Sequence, residues 1–323
     1  MQKTSKIDDC HHMSRLETEG CGGVQTSMDI TENGLEVGQI DADRILESIL
    51  SPWNIGLAIN RVKANKGSGG VDGMKMVELV PYMQENWEKI KASILKGKYK
   101  PSPARRVEIP KDNGKMRKLG IPTLVDRVIQ QAIAQVLSPI YEPKFSEGSF
   151  GFRPNRGAHD ALRKAQGHLN EGYKYAVGID LERFFDTVNH SYLLRLLSHT
   201  IKDGRVISLI GKYLRAGVME HGVLQPTQEG TPQGGPLSPL LSNILLNELD
   251  REIERRGHPF VRYADDSLIF CKSLRGAQRV CKGLTNFIEI KLHLKVNRDK
   301  TEVGLASGMK YLGYSFYVKK DFG

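Results

Sequence analysis

Two groups of carboxylates have the type and spacing to do chemistry. In Phe260-Val261-Arg262-Tyr263-Ala264-Asp265-Asp266-Ser267-Leu268-Ile269-Phe270, two apolar runs flank a short polar turn that carries adjacent aspartates. A hairpin turn needs at most one of them. Two carboxylates at its tip repel, which costs stability unless a cation sits there, and all-oxygen donors suit Mg²⁺. Upstream, Tyr175-Ala176-Val177-Gly178-Ile179-Asp180 reads as a short apolar strand ending in an acid, followed by Leu181-Glu182-Arg183-Phe184-Phe185-Asp186. An aspartate at that position either caps the next helix or meets a ligand at the strand's mouth. Asp186 fits the cap better, because Thr187-Val188-Asn189-His190 leads into a helix around Leu193, Leu194 and Leu197. Asp180 and Asp265 lie 85 residues apart, so only the fold can join them. Joined, they would hold two Mg²⁺ ions about 3.5–4 Å apart.

The elements that must position these acids are legible in outline. Between them runs Gln228-Glu229-Gly230-Thr231-Pro232-Gln233-Gly234-Gly235-Pro236, whose glycines let backbone approach a ligand. A helix follows to about Arg256, with Leu241, Ile244, Leu245, Leu249 and Ile253 on its inner face and Gly257 and Pro259 ending it. Residues 104–119 form the clearest hairpin. Val107 and Ile109 alternate with Arg106, Glu108 and Pro110, and Asp112-Asn113-Gly114 is a strong turn signal. Arg105, Arg106, Lys111, Lys115, Arg117 and Lys118 crowd this hairpin, which suits contact with phosphates, although a solvated edge strand would look similar. Pro122 to Leu137 reads as an amphipathic helix that Ser138-Pro139 should end. Phe150-Gly151-Phe152-Arg153-Pro154-Asn155-Arg156 is a loop whose aromatic and arginine side chains suit stacking and phosphate contact, or anchor the loop to the core.

Other signals fail. Asn65 to Gly73 is rich in glycine but lacks the order of a Walker loop, leaving a turn that brings backbone close to something. Cys10, His11, His12 and Cys21 match no zinc spacing. Four cysteines without a C-x-x-C pair form no disulfide framework, and no apolar stretch is long enough to span a bilayer. No apolar signal core opens the chain, so secretion is not expected. Residues 1–38 read as a flexible acidic tail and residues 39–62 as a helical segment interrupted near Pro52. The net charge of +10 is uneven. Residues 1–52 hold 4 basic and 10 acidic side chains, whereas residues 53–120 hold 15 and 6. A basic body behind an acidic head fits a polyanionic partner, or a solvated basic surface.

Taken together, Tyr263-Ala264-Asp265-Asp266 between apolar strands, the Asp180 strand and Thr231-Pro232-Gln233-Gly234-Gly235 resemble a reverse transcriptase. Lys66 to Gly73, Ile109 to Thr123, Gly151 to Arg156, Asp180 to Asp186, Val296 to Thr301 and Tyr311-Leu312-Gly313-Tyr314 narrow the resemblance to the reverse transcriptase and maturase proteins of bacterial group II introns, over about Lys63 to Val318. The resemblance implies an α+β fold, a right-hand polymerase with fingers at 63–170 and a palm at 171–323 whose antiparallel sheet is backed by helices. It implies that Asp180 and Asp265, with the Leu181 carbonyl, bind two Mg²⁺ beside Asp266. Lys111 and Arg117 would hold the triphosphate of a dNTP, Gln233 would contact that nucleotide, and Phe185 would exclude a 2′-OH or simply pack with Phe184. Lys300 would lie near the triphosphate or be one solvated lysine among many. Arg105, Arg106, Arg153 and Arg156 would meet RNA, and Lys310 to Val318 would grip the primer.

The implied partners are group II intron RNA and an RNA template with a DNA primer. No membrane is expected, and the location would be the bacterial cytoplasm, at the nucleoid when acting on DNA. The family's helical thumb is not in this sequence, so weak primer–template binding is expected, and the palm surface a thumb would cover allows a homodimer. Two competing readings are an RNA-binding splicing cofactor without polymerase activity and a retron-type reverse transcriptase.

Overall fold

The computed structural model describes residues 44–110, 116–220, 222–227, 229–231 and 234–317, without the side chain of Arg117. The expectations for residues 1–38, Lys111, the Asp112–Gly114 turn, Gln233, Val318 and the Arg117 side chain lie outside what is described.

Two short helices, α1 (Ile45–Ile49) and α2 (Pro52–Ala64), open the described chain. Ser51 caps α2, accepting from the Asn54 N–H at 3.3 Å, and Pro52 supplies the first helical residue without losing a needed donor. The buried Asn54 side chain donates to the carbonyls of Ile49 and Ala132, so it ties this helix pair to the centre of the molecule. After α3 (Leu79–Leu95), strands β1 (Ala104–Pro110) and β2 (Met116–Ile121) form the expected hairpin, pairing Arg105 with Ile121 and Pro110 with Met116.

Helix α4 (Leu124–Tyr141) is buried along most of its length. Thr123 caps it: its hydroxyl accepts from the Asp126 N–H and donates to the Asp126 carboxylate at 2.7 Å. The helix does not stop at Ser138-Pro139, as the sequence suggested. Proline removes a single N–H near the C-terminal end of the helix, and Ser138 instead bonds back to the Ala134 carbonyl at 2.7 Å.

Next come α5 (Ala158–Asn170), β3 (Tyr175–Ile179), α6 (Phe184–Thr187), α7 (His190–Thr200) and α8 (Gly204–Leu214). The cap of α7 is Asn189, accepting from the Tyr192 N–H at 2.9 Å, and not Asp186, which lies inside α6. Strands β4 (Val218–Glu220) and β5 (Val223–Gln225) join the first sheet, in the order β2-β1-β4-β5. That sheet therefore draws strands from both sides of the expected boundary at residue 170.

Then follow α9 (Ser238–Arg255), β6 (Phe260–Tyr263), β7 (Asp266–Cys271), α10 (Leu274–Lys291), β8 (Glu302–Leu305), β9 (Lys310–Tyr311) and β10 (Tyr314–Ser315). The second four-stranded sheet has the order β6-β7-β3-β8, and every pairing in it is antiparallel. Alternation along the strands splits its side chains between two cores. Val177, Ile179, Ile269 and Cys271 enter the larger one with α10 and α9. Ala176, Leu268 and Phe270 enter the smaller one with Ala161 and Ala165 of α5 and with Tyr311. Helical cover on both faces is why these strands read as nearly continuous apolar runs. The expected antiparallel sheet backed by helices is thus the observed architecture.

Candidate active site

Strand β3 delivers Asp180 to one end of the second sheet. The backbone there is clasped by the segment before β8. The Asp180 N–H donates to Thr301 Oγ1 at 3.3 Å, and the Asp180 carbonyl accepts from the Asn297 N–H at 2.9 Å. Leu181 sits opposite Val296, and the flanking bond from the Glu182 N–H to the Lys295 carbonyl makes this a non-hydrogen-bonded pair. The carbonyl of Leu181 consequently points away from that ladder.

The β6–β7 hairpin brings the other two acids. Tyr263 pairs with Asp266, so the turn is Ala264-Asp265 and Asp266 is the first residue of β7. Ala264 has φ +57°, in the left-handed region, which costs a residue with a Cβ about 1–2 kcal/mol. The β3–β7 register ends with Ile179 opposite Ser267, and one further step sets Asp180 opposite Asp266. The carboxyl of Asp266 is pushed up to about 6, first by desolvation and then by the charges of Asp265 and Asp180, against a hydrogen bond from the Leu312 N–H. Asp266 is nonetheless exposed to solvent, so the desolvation comes from crowding by neighbouring groups at the mouth of the sheet. Lys300 Nζ stands 3.6 Å from Asp180 Oδ2 in a solvated pair, too exposed to add much stability but placed to offset charge at the site.

Among the described residues no group of three or more His, Cys, Asp or Glu side chains is arranged so that it could hold a metal ion by itself. Desolvation first, and then repulsion from Asp265 and Asp180, raises the proton affinity of Asp266. A hard divalent cation relieves that repulsion as a proton does, so the donor set fits Mg²⁺.

The neighbouring loop is stitched to the Asp180 segment. The Thr231 N–H donates to the Phe185 carbonyl at 2.6 Å and the Gly230 N–H to the Val188 carbonyl at 2.7 Å. Gly230 has φ +93°, and a Cβ there would lie 2.8 Å from the Asp186 carbonyl oxygen, so both its conformation and its space require glycine. Phe184 is the buried anchor of this turn. Phe185 packs edge-to-face on it, ring centroids 5.1 Å apart, and stays partly accessible.

The expected RNA-facing arginines divide. Arg105 donates to the Gly69 carbonyl and to Ser68, fastening the glycine-rich 67–70 loop to β1. Arg127, which the sequence did not single out, holds the Ser68 and Pro122 carbonyls from α4. The close approach that loop makes is therefore to the protein itself. Arg106 is partly buried, and its Nε has no hydrogen-bond partner in the structure. Arg153 contradicts the expectation outright. Its side chain is 3% exposed and its donors are committed to Glu142 at 2.7 Å and to the Ser146 and Ser149 carbonyls. Arg156 pairs with Glu147 at 2.7 Å and lies over the Phe150 ring.

The loop carrying Arg153 instead cradles the aspartate hairpin. The Phe150 N–H donates to the Arg262 carbonyl and the Arg262 N–H to the Gly148 carbonyl, both at 2.8 Å. A Cβ on Gly151 would collide with the Ala264 nitrogen and lie 2.9 Å from the Tyr263 carbonyl carbon. Helix α9 holds this loop through a polar stripe. Asn243 donates to the Gly151 carbonyl, Asn247 bonds the Ser146 N–H and Lys144 carbonyl, and Glu254 accepts from the Ser146 hydroxyl. Asp250 completes the stripe with a bidentate pair to Arg262 at 2.6 and 2.7 Å, both side chains almost fully buried. Burial pushes the Asp250 carboxyl up, and the Arg262 guanidinium pulls it back.

Comparison with known proteins bears on this geometry. A family model described as reverse transcriptase (RNA-dependent DNA polymerase) matches residues 109–316. The chain is 32% identical to Protein YkfC of Escherichia coli strain K12, over 86% of this chain and 84% of that protein. It is also 32% identical to the group II intron-encoded protein LtrA of Lactococcus lactis subsp. cremoris, over 86% of this chain but 57% of LtrA. Among solved structures, apo telomerase from Candida tropicalis superposes with a TM-score of 0.52 at 13% identity, covering 71% of this chain and 51% of that one, a likeness of fold.

Proposed function

The chain belongs to the reverse transcriptase (RNA-dependent DNA polymerase) family, among group II intron-encoded reverse transcriptases and maturases, and we propose that it extends a DNA primer along an RNA template. The observation that carries this reading is the meeting of Asp180, Asp265 and Asp266 at one end of the second sheet, where mutual repulsion asks for a cation. Asp180 and Asp265, with the Leu181 carbonyl, would hold two Mg²⁺, and Asp266 would stand beside them. Bound there, the ions supply Lewis-acid stabilisation of the attacking and leaving oxygens of an in-line displacement.

The protein's own part is positioning. Phe185, fixed through its carbonyl to Thr231, offers a partly accessible ring where the sugar of an incoming nucleotide would lie and excludes a 2′-OH. Lys300, beside Asp180, would meet the triphosphate. Lys111, Arg117 and Gln233 are assigned to the same nucleotide by the family's motifs. Residues 63–170 would act as fingers, 171–323 as palm and 39–62 as a helical extension that contacts intron RNA. Arg106 would contact RNA through the rest of its guanidinium, since its unpartnered Nε is buried.

Primer extension on an RNA template with Mg²⁺ and dNTPs tests this, comparing wild type with Asp265→Asn and titrating both with the same RNA. Loss of extension with retained RNA affinity supports the polymerase. Equal extension by both proteins would refute the assignment, and RNA affinity with no extension by either would favour a splicing cofactor.

A further inference from the structure

Arg262 lies on β6 two residues before the turn, and its guanidinium has five N–H donors. All five are used. Nε and one Nη2 hydrogen engage the two oxygens of Asp250, at 2.7 and 2.6 Å. The other Nη2 hydrogen goes to Ser149 Oγ at 2.8 Å. Nη1 donates to Asn243 Oδ1 at 3.0 Å and to the Ala264 carbonyl at 2.8 Å. The last contact matters most, because the Ala264 carbonyl belongs to the central peptide of the Ala264-Asp265 turn. Turn types interconvert by flipping that peptide. A flip here would turn ψ of Ala264 and φ of Asp265 and so swing Asp265, while Ala264 keeps its positive φ of +57°. The same cluster closes the other side of the turn, since Asn243 also donates to the Gly151 carbonyl and Gly151 abuts the Ala264 nitrogen.

We propose that Arg262 is a positioning residue that locks the Ala264–Asp265 peptide in the one orientation that presents the Asp265 carboxylate to Asp180. It uses Asp250 and Asn243 of α9 as the fixed frame. The inference rests on the polymerase reading for its functional consequence, though not for its geometry. A lysine keeps the charge opposite Asp250 but has three donors and no planar fork, so it cannot span Asp250, Asn243, Ser149 and Ala264 together.

The test uses Arg262→Lys and a charge-neutral double variant, Arg262→Met with Asp250→Leu. The double variant removes the buried pair without stranding either charge. Three quantities are read on the whole chain: thermal midpoint, amide hydrogen exchange across residues 260–268, and primer-extension kinetics with Mg²⁺. In whichever variant retains a cooperative melt, exchange at 263–266 accelerates while other segments keep their protection. kcat falls about 10²-fold, as expected for a misplaced catalytic group, with the apparent KM for dNTP little changed. A folded variant with wild-type kcat and wild-type protection of the turn would overturn the proposal and leave Arg262 a fold-stabilising residue. If wild type itself does not extend primers, the polymerase reading fails. Hydrogen exchange then still decides the lock: selective opening of the turn supports it, and unchanged turn protection overturns it.

Discussion

Asp180 and Asp266 stand opposite each other one step beyond the last pair of the β3–β7 ladder, on strands that 86 residues of chain separate. Neither acid is placed by its own local sequence. Asp180 is fixed because the 297–301 segment holds both its N–H and its carbonyl. Asp266 is fixed because its strand is buried on both faces and the Leu312 N–H meets its carboxylate.

The crowding of Asp266 has a consequence for stability. Without divalent cations, Asp266→Asn removes one of three mutually repelling charges, so its thermal midpoint should lie above that of wild type at neutral pH. Added Mg²⁺ should raise the midpoint of wild type more than that of the variant. Differential scanning fluorimetry with EDTA and with Mg²⁺ reads both shifts, and an equal Mg²⁺ response in the two proteins would count against a cation at this place.

Gly151→Ala should damage the site more than the fold. Its Cβ meets the backbone of Ala264, which cannot yield without moving the aspartate turn. Overpacking of this kind costs about 1–3 kcal/mol. We expect a modestly lowered midpoint together with a severe loss of extension, measured in parallel on one preparation. Activity falling only in proportion to the folded fraction would contradict the close approach.

Arg153→Ala should behave as a core lesion. Breaking a buried ion pair costs about 3–5 kcal/mol, and Arg153 is nearly as buried as that class requires, with Glu142 partly solvated. The midpoint should drop sharply. The dependence of RNA affinity on salt, measured where the variant is folded, should keep its slope because no phosphate contact is removed. A shallower slope would return Arg153 to the RNA interface.

His190 makes stability depend on pH in a stated direction. It is buried, its Nε2 lies 2.6 Å from the Gly230 carbonyl, and burial holds its pKa below the ordinary 6.5. As pH falls through 6.5 the unfolded chain takes up this proton before the folded one does. The contribution is therefore whole above 6.5 and is lost as pH falls through the window beneath it. His190→Gln keeps a donor for Gly230 and should flatten part of this slope in urea denaturation at pH 5.5 and 7.5. An unchanged slope would place the dependence elsewhere, for example at His258, whose pKa burial and Arg256 also lower.

Much of this was legible in the sequence because it is local. Apolar runs around Asp180 and Asp265 marked strands, and adjacent acids at a short polar turn marked a charge problem. Glycines at 230, 234 and 235 marked backbone approach. What escaped was the meaning of polar residues that face inward. Arg153 and Arg262 are written no differently from surface arginines, and only the fold supplies Glu142 and Asp250 as partners. The stripe of Asn243, Asn247, Asp250 and Glu254 has helical spacing, yet the sequence reading of this helix took in only its Leu and Ile face. A charged residue inside an otherwise apolar strand, as at Arg262, was the signal available.

The account centres on one cation site shared by Asp180 and Asp265. The most direct measurement is the number of Mn²⁺ ions bound, by electron paramagnetic resonance, in the presence of primer–template and a non-hydrolysable dNTP analogue. Two ions in wild type, with binding weakened in both Asp180→Asn and Asp265→Asn while RNA affinity is kept, is the result expected. The same Mn²⁺ stoichiometry and affinity in all three proteins would contradict it.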